Sequence, residues 1–145
     1  MASEWSHKTI GFLSECNTDT YSPKESWPFV NYLDTGNITK GSIEHIHYIA
    51  AGEKLPSRAR RKVLPGDIVY STVRPNQKHF GIISKPVENM LVSTGFAVLR
   101  GKEGISDTRF LYYFLTQDRL IEYLQGIGEN STSAYPAIKQ IGRAS

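Results

Sequence analysis

Leu64-Pro65-Gly66-Asp67-Ile68-Val69-Tyr70-Ser71-Thr72-Val73-Arg74-Pro75-Asn76-Gln77-Lys78-His79-Phe80-Gly81-Ile82-Ile83-Ser84 is the stretch on which the reading of the fold turns. Leu64-Pro-Gly-Asp67 has the composition of a tight turn. The β-branched and aromatic run at 68–73 reads as a strand. Arg74-Pro-Asn-Gln77 reads as a second turn, because Pro75 presets φ at its first central position and Asn suits turns generally. Residues 78–84 then pair back, so the stretch is a β-hairpin with a polar, cationic tip.

Working outward, Phe29-Val-Asn-Tyr-Leu33 is a further strand, closed by a turn at Asp34-Thr-Gly-Asn37 and followed by a short return strand at 38–41. Residues 44–49 alternate in part. Residues 54–61 are polar and basic, and Pro56 argues against a helix through them. Over 91–100, Val92, Thr94, Phe96 and Val98 alternate with Leu91, Ser93, Ala97 and Leu99, which predicts one strand buried on both faces. Residues 5–13 form at most a short edge element, and 17–28 has no period. One helix is predicted: Ser106 caps it, Asp107 sits at its positive end, and Phe110, Tyr113, Phe114, Leu120, Ile121 and Leu124 recur at helical spacing before Gly126 and Gly128 stop it. Tyr112, Tyr113, Phe110 and Phe114 are expected in the core. The expected fold class is α+β: a single globular domain over residues 1–141, with a β-rich, hairpin-containing N-terminal part, a long C-terminal amphipathic helix, and a disordered tail at 142–145.

Composition bounds the function. At 145 residues, 39% hydrophobic and 21% charged, the chain has an ordinary globular composition. Cys16 is its only cysteine, which excludes an internal disulfide and a Cys-rich zinc site and fits a reducing compartment. No apolar run approaches the roughly 18 residues needed to cross a bilayer, and the start lacks a signal-peptide core. A cytoplasmic location and no membrane partner are expected. The net charge of +3 conceals a segregation: residues 54–85 hold eight basic residues against Asp67 alone, while the rest of the chain is net acidic. With acids missing from that segment, a polyanionic partner is favoured over a merely solvated face.

Tests for catalysis return little. There is no Asn/Asp-Pro-Pro-aromatic methyltransferase motif, no glycine-rich phosphate loop and no dinucleotide-binding glycine pattern. The carboxylate cluster of a metal nuclease is missing. His45-x-His47 would put two rings on one strand face, a weak metal signal because zinc takes three or four ligands. Cys16 has no adjacent base, and no serine sits in an elbow pattern. No catalytic residue, metal or cofactor is assigned.

Nucleic-acid chemistry is better represented. Arg58, Arg60, Arg61 and Lys62 are suited to neutralising phosphates, which supplies affinity and register. Arg74, Asn76, Gln77, Lys78 and His79 gather at the hairpin tip, where Arg or Lys suits guanine and Asn or Gln suits adenine. Ser131, Ser133 and Tyr135 lie in a polar loop that offers small donors and one aromatic.

In their order, several pieces of the chain resemble the DNA target-recognition domain of type I restriction–modification specificity subunits. They are Trp5-Ser-His-Lys-Thr-Ile-Gly-Phe-Leu13, Trp27-Pro-Phe-Val-Asn-Tyr-Leu-Asp-Thr-Gly-Asn-Ile-Thr-Lys-Gly41, the 64–75 piece quoted above, Ser93-Thr-Gly-Phe-Ala-Val-Leu-Arg-Gly101, the 110–124 segment and Tyr135-Pro-Ala-Ile138. The resemblance implies a non-catalytic reader of one half of a bipartite double-stranded DNA site. Partner methyltransferase subunits would methylate an adenine, a restriction subunit would cleave, and a second recognition domain would read the other half-site. It also implies a structural role for Gly66-Asp67 and a reading surface made of a basic loop at 57–62, the turn at 74–79 and the loop at 131–135. The family continues past its Tyr-Pro motif into a strand and a long helical spacer, so the present sequence is expected to be a fragment or a truncated subunit. The alternative is a truncated interaction domain of the same fold that binds partner subunits without reading DNA.

Overall fold

A computed structural model describes residues 14–17, 19–101 and 107–129. Ten strands run in chain order: β1 Ser14–Cys16, β2 Phe29–Leu33, β3 Ile38–Thr39, β4 Ser42–Ile43, β5 His47–Ala50, β6 Ala59–Lys62, β7 Asp67–Ser71, β8 Phe80–Ile83, β9 Met90–Ser93 and β10 Phe96–Gly101. Two helices follow, α1 Thr108–Leu115 and α2 Asp118–Glu129. The first sheet has the order β1-β10-β7-β8, the second β5-β2-β9-β6, and β3 and β4 form a small hairpin. The expected hairpin is present: β7 and β8 pair antiparallel from Asp67↔Ile83 to Tyr70↔Phe80. The class is α+β.

The period of two in β7 explains how the layers assemble. Ile68 and Tyr70 point to one face and pack with Leu111, Leu115, Ile121 and Leu124 of the helices. Val69 points to the other face and packs with Leu33, Val92 and Phe96 between the two sheets. A third cluster, Tyr21, Val30, Tyr32, Ala59 and Leu91, covers the outer face of the second sheet. Each such side chain contributes on the order of 1.5–3 kcal/mol by leaving water. Tyr70 is fully buried, and its hydroxyl donates to the Leu115 carbonyl at 2.9 Å, which satisfies an acceptor at the end of α1.

Two features secure the entry to β7. Gly66 adopts φ +91°, a left-handed conformation that favours glycine. Asp67 is buried, accepts from the Leu64 amide at 2.7 Å, and receives Arg100 Nε and Nη2 at 2.8 Å each. These bonds and the Asp67 carboxylate hold the Arg100 guanidinium firmly protonated. Gly66-Asp67 is thus built into the frame.

The structure differs from expectation in four places. Residues 91–100 are not one strand but two, β9 and β10, which lie in different sheets and are joined at Thr94-Gly95. Both are buried on both faces, so periodicity alone does not mark the break. The basic residues expected on a loop at 57–62 lie mainly on β6, which pairs with β9 at the sheet edge. The single long helix is two: Thr116 Oγ1 and Gln117 Nε2 both bond the Tyr113 carbonyl, at 3.2 and 2.9 Å, in competition with the backbone ladder. Asp107 caps α1 by accepting from the Arg109 amide at 2.8 Å. Ser106, the expected cap, lies outside the described residues. Helix α2 runs through Gly126 and Gly128 rather than stopping at them.

The aromatic expectation also fails in part. Leu111 and Leu115 fill the core face of α1, while Phe110 and Tyr113 are exposed and Tyr112 and Phe114 are half-buried. The polar-faced turn of α1 tolerates aromatics as well as charges, so residue type misleads where phase decides. The elements expected at 5–13 and 131–135 and the tail at 142–145 lie outside the described residues. No helix among the described residues is long and apolar enough to cross a membrane.

Candidate nucleic-acid interface

The β9–β10 junction organises one end of the molecule. Thr94 donates its amide to the Arg58 carbonyl at 2.9 Å, and Arg61 Nη2 donates back to the Thr94 carbonyl at 3.3 Å. The Gly95 carbonyl accepts from the Thr72 amide at 3.0 Å and the Thr72 hydroxyl at 3.2 Å. A Cβ on Gly95 would meet Thr35 Cγ2 at 2.8 Å, so the 34–37 turn closes against it. One corner therefore gathers three segments that are remote in sequence: the basic 58–61 piece, the loop leaving β7, and the turn after β2.

The predicted site residues divide by how far the protein already uses them. Arg58 and Arg74 are exposed, Arg60 is half-buried, and none of the three has an acidic partner among the described residues. Arg61 is tied to the corner. Lys62 stands opposite Leu91, toward the other end of β6, where it bonds Glu25 at 2.6 Å and lies 5.4 Å from the Trp27 ring centre. The bond and charge of Lys62, and a second bond accepted from the Ser22 amide, hold the Glu25 carboxyl below its usual range, the Lys62 bond acting most strongly.

The 74–79 turn is held on several sides. Pro75–Gln77 forms one turn of 3-10 helix, flanked by Arg74 at φ 51° and Lys78 at φ 59°. Gln125 Oε1 accepts from the Asn76 amide at 3.2 Å, Lys78 pairs with Asp118 at 3.4 Å, and the Lys78 carbonyl accepts from the Lys40 amide at 2.9 Å. His79 Nδ1 lies 2.7 Å from the Ile38 carbonyl, a distance that requires the proton on that nitrogen. Of this group Arg74, Asn76 and Gln77 present exposed side chains. Ser131, Ser133 and Tyr135 lie outside the described residues.

Sequence reasoning missed an open groove of about 690 Å³ beside the corner, whose lining includes two acids, Asp34 and Glu53, two cations, Lys54 and Arg58, and the exposed His47 and Tyr48. Tyr48 is 62% exposed and stacks on Phe29 with ring centres 5.6 Å apart. His47 meets Asn37 Oδ1 at 3.1 Å and stands edge-on to His45 with centres 4.3 Å apart. Among the described residues no third ligand joins these histidines to form a metal-binding group. Tyr32 donates to Asp34 Oδ1 at 3.3 Å, and burial pushes its phenol above the ordinary range, so it remains a donor at neutral pH. The exposed aromatic and imidazole residues at 45–48 were the available signal.

No family model matches the chain. It is 27% identical over 136 residues to the Type I restriction enzyme HindI specificity subunit of Haemophilus influenzae, a match that takes in 94% of this chain and 29% of that protein. Among solved structures, a chain from a study of complex assembly and conformational transition of the type I R-M system superposes with a TM-score of 0.70 at 27% identity, over 81% of this chain and 30% of that one. The HsdS subunit from Thermoanaerobacter tengcongensis superposes with a TM-score of 0.64 at 27% identity, over 72% of this chain and 27% of that one. The architecture is thus similar to part of the HsdS subunit. The chain is homologous to the Haemophilus subunit along nearly all of its own length and spans under a third of the relatives it matches.

Proposed function

We propose that this chain is one target-recognition domain, residues 1–141 with a short tail, that reads one half-site of double-stranded DNA and catalyses nothing itself. Arg58, Arg60, Arg61 and Arg74 supply phosphate contacts, and the exposed groups of the groove and of the 74–79 turn face the bases. The observation that carries this reading is the corner at Thr94-Gly95. It fastens the basic 58–61 piece and the loop leaving β7 to one end of the molecule, and Arg58, Arg60 and Arg74 make no ion pair among the described residues. Unneutralised guanidinium groups around a mixed polar groove suit a polyanion with readable edges. Homology to a specificity subunit gives the same direction.

As in a type I system, its partners are methyltransferase subunits and a restriction subunit, with a second recognition domain for the other half-site, acting in the cytoplasm. Adenine methylation and restriction belong to those partners.

The test is selection from a randomised duplex library at two salt concentrations, with and without an added type I methyltransferase subunit. Enrichment of a short half-site is expected. Salt-sensitive retention without enrichment would reduce the corner to a phosphate-binding surface. No retention, with capture of the methyltransferase subunit, would favour the interaction-domain alternative.

A further inference from the structure

Asp34 is out of place on a surface meant for phosphate. It lines the same groove as Arg58, Lys54 and a second carboxylate, Glu53, which accepts from the Ala50 amide at 3.1 Å, and a carboxylate there repels the DNA backbone. Asp34 makes no ion pair with either cation among the described residues. Its Oδ1 is committed, accepting from the Thr35 amide at 2.8 Å and from the Tyr32 hydroxyl at 3.3 Å. Those two bonds fix the side chain and leave Oδ2 with no protein donor among the described residues.

We propose that Asp34 is a specificity-determining residue whose Oδ2 accepts a hydrogen bond from the exocyclic amine of a cytosine or adenine, while Arg58 and Lys54 hold backbone phosphate beside it. The inference rests on the DNA-reading proposal and narrows it to one side chain and one chemical group. In the major groove only cytosine N4 and adenine N6 offer amine donors, whereas thymine and guanine turn carbonyl oxygens to a carboxylate and are rejected. The neighbours suit the task. Tyr32 is buried and Asp34 caps the Thr35–Asn37 turn, so the acceptor is pre-positioned rather than mobile. The nearby cations offset its repulsion of the backbone without neutralising it by direct pairing.

A bare capping role is separable from a reading role. Asp34→Asn keeps an acceptor for Thr35 and Tyr32 and replaces the free oxygen with an NH2 donor. Asp34→Ser keeps a capping oxygen and removes the second acceptor. The 145-residue chain and both variants are taken through duplex selection in parallel, with melting temperatures as the control. At one half-site position the parent's preference for cytosine or adenine is expected to fall about tenfold in both variants. Thymine or guanine should gain there with the Asn variant only, and melting should stay near the parent's. If both variants select the parent's half-site with unchanged preference at every position, Asp34 is only a cap and the inference is overturned while the DNA-reading proposal stands. If the parent itself enriches no half-site, the DNA-reading proposal fails and this inference falls with it.

Discussion

The two four-stranded sheets treat charge in opposite ways. In the sheet that carries the helices, Asp67 and Arg100 are bound to each other by two 2.8 Å bonds in the interior. Its β7–β8 loop is likewise consumed by contacts to α2 and to the β3–β4 hairpin. In the second sheet, one edge strand presents His47 and Tyr48, the other is entered at Arg58, and Arg58 and Arg60 have no acidic partner among the described residues. The first sheet uses its charged groups to hold its shape, and the second leaves these two without an ion pair. Stability and binding should therefore be separable by mutation.

The largest effect is expected where the frame is struck. Asp67→Ala removes both 2.8 Å bonds to the half-buried Arg100 guanidinium, leaves it the longer 3.4 Å contact with Asp19, and frees the Leu64 amide, for a loss of about 2 kcal/mol measured by denaturant unfolding. A loss below about 1 kcal/mol would place this pair with surface ion pairs and blur the contrast between the sheets. Next comes Arg58→Ala/Arg60→Ala. Duplex affinity should fall about tenfold and the salt slope should become shallower by about 2, with melting unchanged. An equal drop in melting would make these cations structural.

Lys78→Ala should matter less. It removes a half-exposed pair with Asp118, so affinity should change by less than about threefold and stability by under about 1 kcal/mol. An affinity loss matching that of the double variant would add Lys78 to the phosphate-binding surface beside Arg74. The smallest effect concerns Lys62 and Glu25, an ion pair through which a basic-segment residue of the second sheet behaves like the first. Because the folded state lowers the Glu25 pKa from 4.5, its contribution is present above that value and is lost as pH falls through the lower folded one. The melting difference between parent and Glu25→Gln should be small at neutral pH and vanish in acid. A difference that persists in acid would rule out the ion pair as its source.

Local chemistry made much of this frame legible. Phe29–Leu33 and the 68–83 hairpin announced themselves through β-branched residues and turn formers, and the resemblance of 64–75 and 93–101 to specificity subunits holds in the fold. Three things were hidden for physical reasons. A strand buried on both faces has no polar phase, so the change of sheet at Thr94-Gly95 left no mark on the pattern of 91–100. Arg60 to Lys62 look like a loop by composition, yet their backbone completes the edge of β9, and pairing overrides propensity. The groove is assembled from residues 32–34, 47–48 and 54–58, which no local window brings together. The cations themselves were visible; that Lys62, Lys78 and His79 are occupied within the protein could be learned only from what lies across from them.

The corner at Thr94-Gly95 has a consequence for how such a surface can diversify. Main-chain bonds, apart from the Thr72 hydroxyl and Arg61, fasten two of the three converging segments to it, and the 34–37 turn closes on Gly95 through the Thr35 methyl. Side chains at 54, 58 and 74 make none of these bonds and can therefore be exchanged with little disturbance to the fastening, whereas Asp34 and His47 also hold the 34–37 turn. On the function proposed above, a new target sequence is reached by a few substitutions on an unaltered frame, whereas even a methyl group on Gly95 would push against Thr35 at the fastening itself.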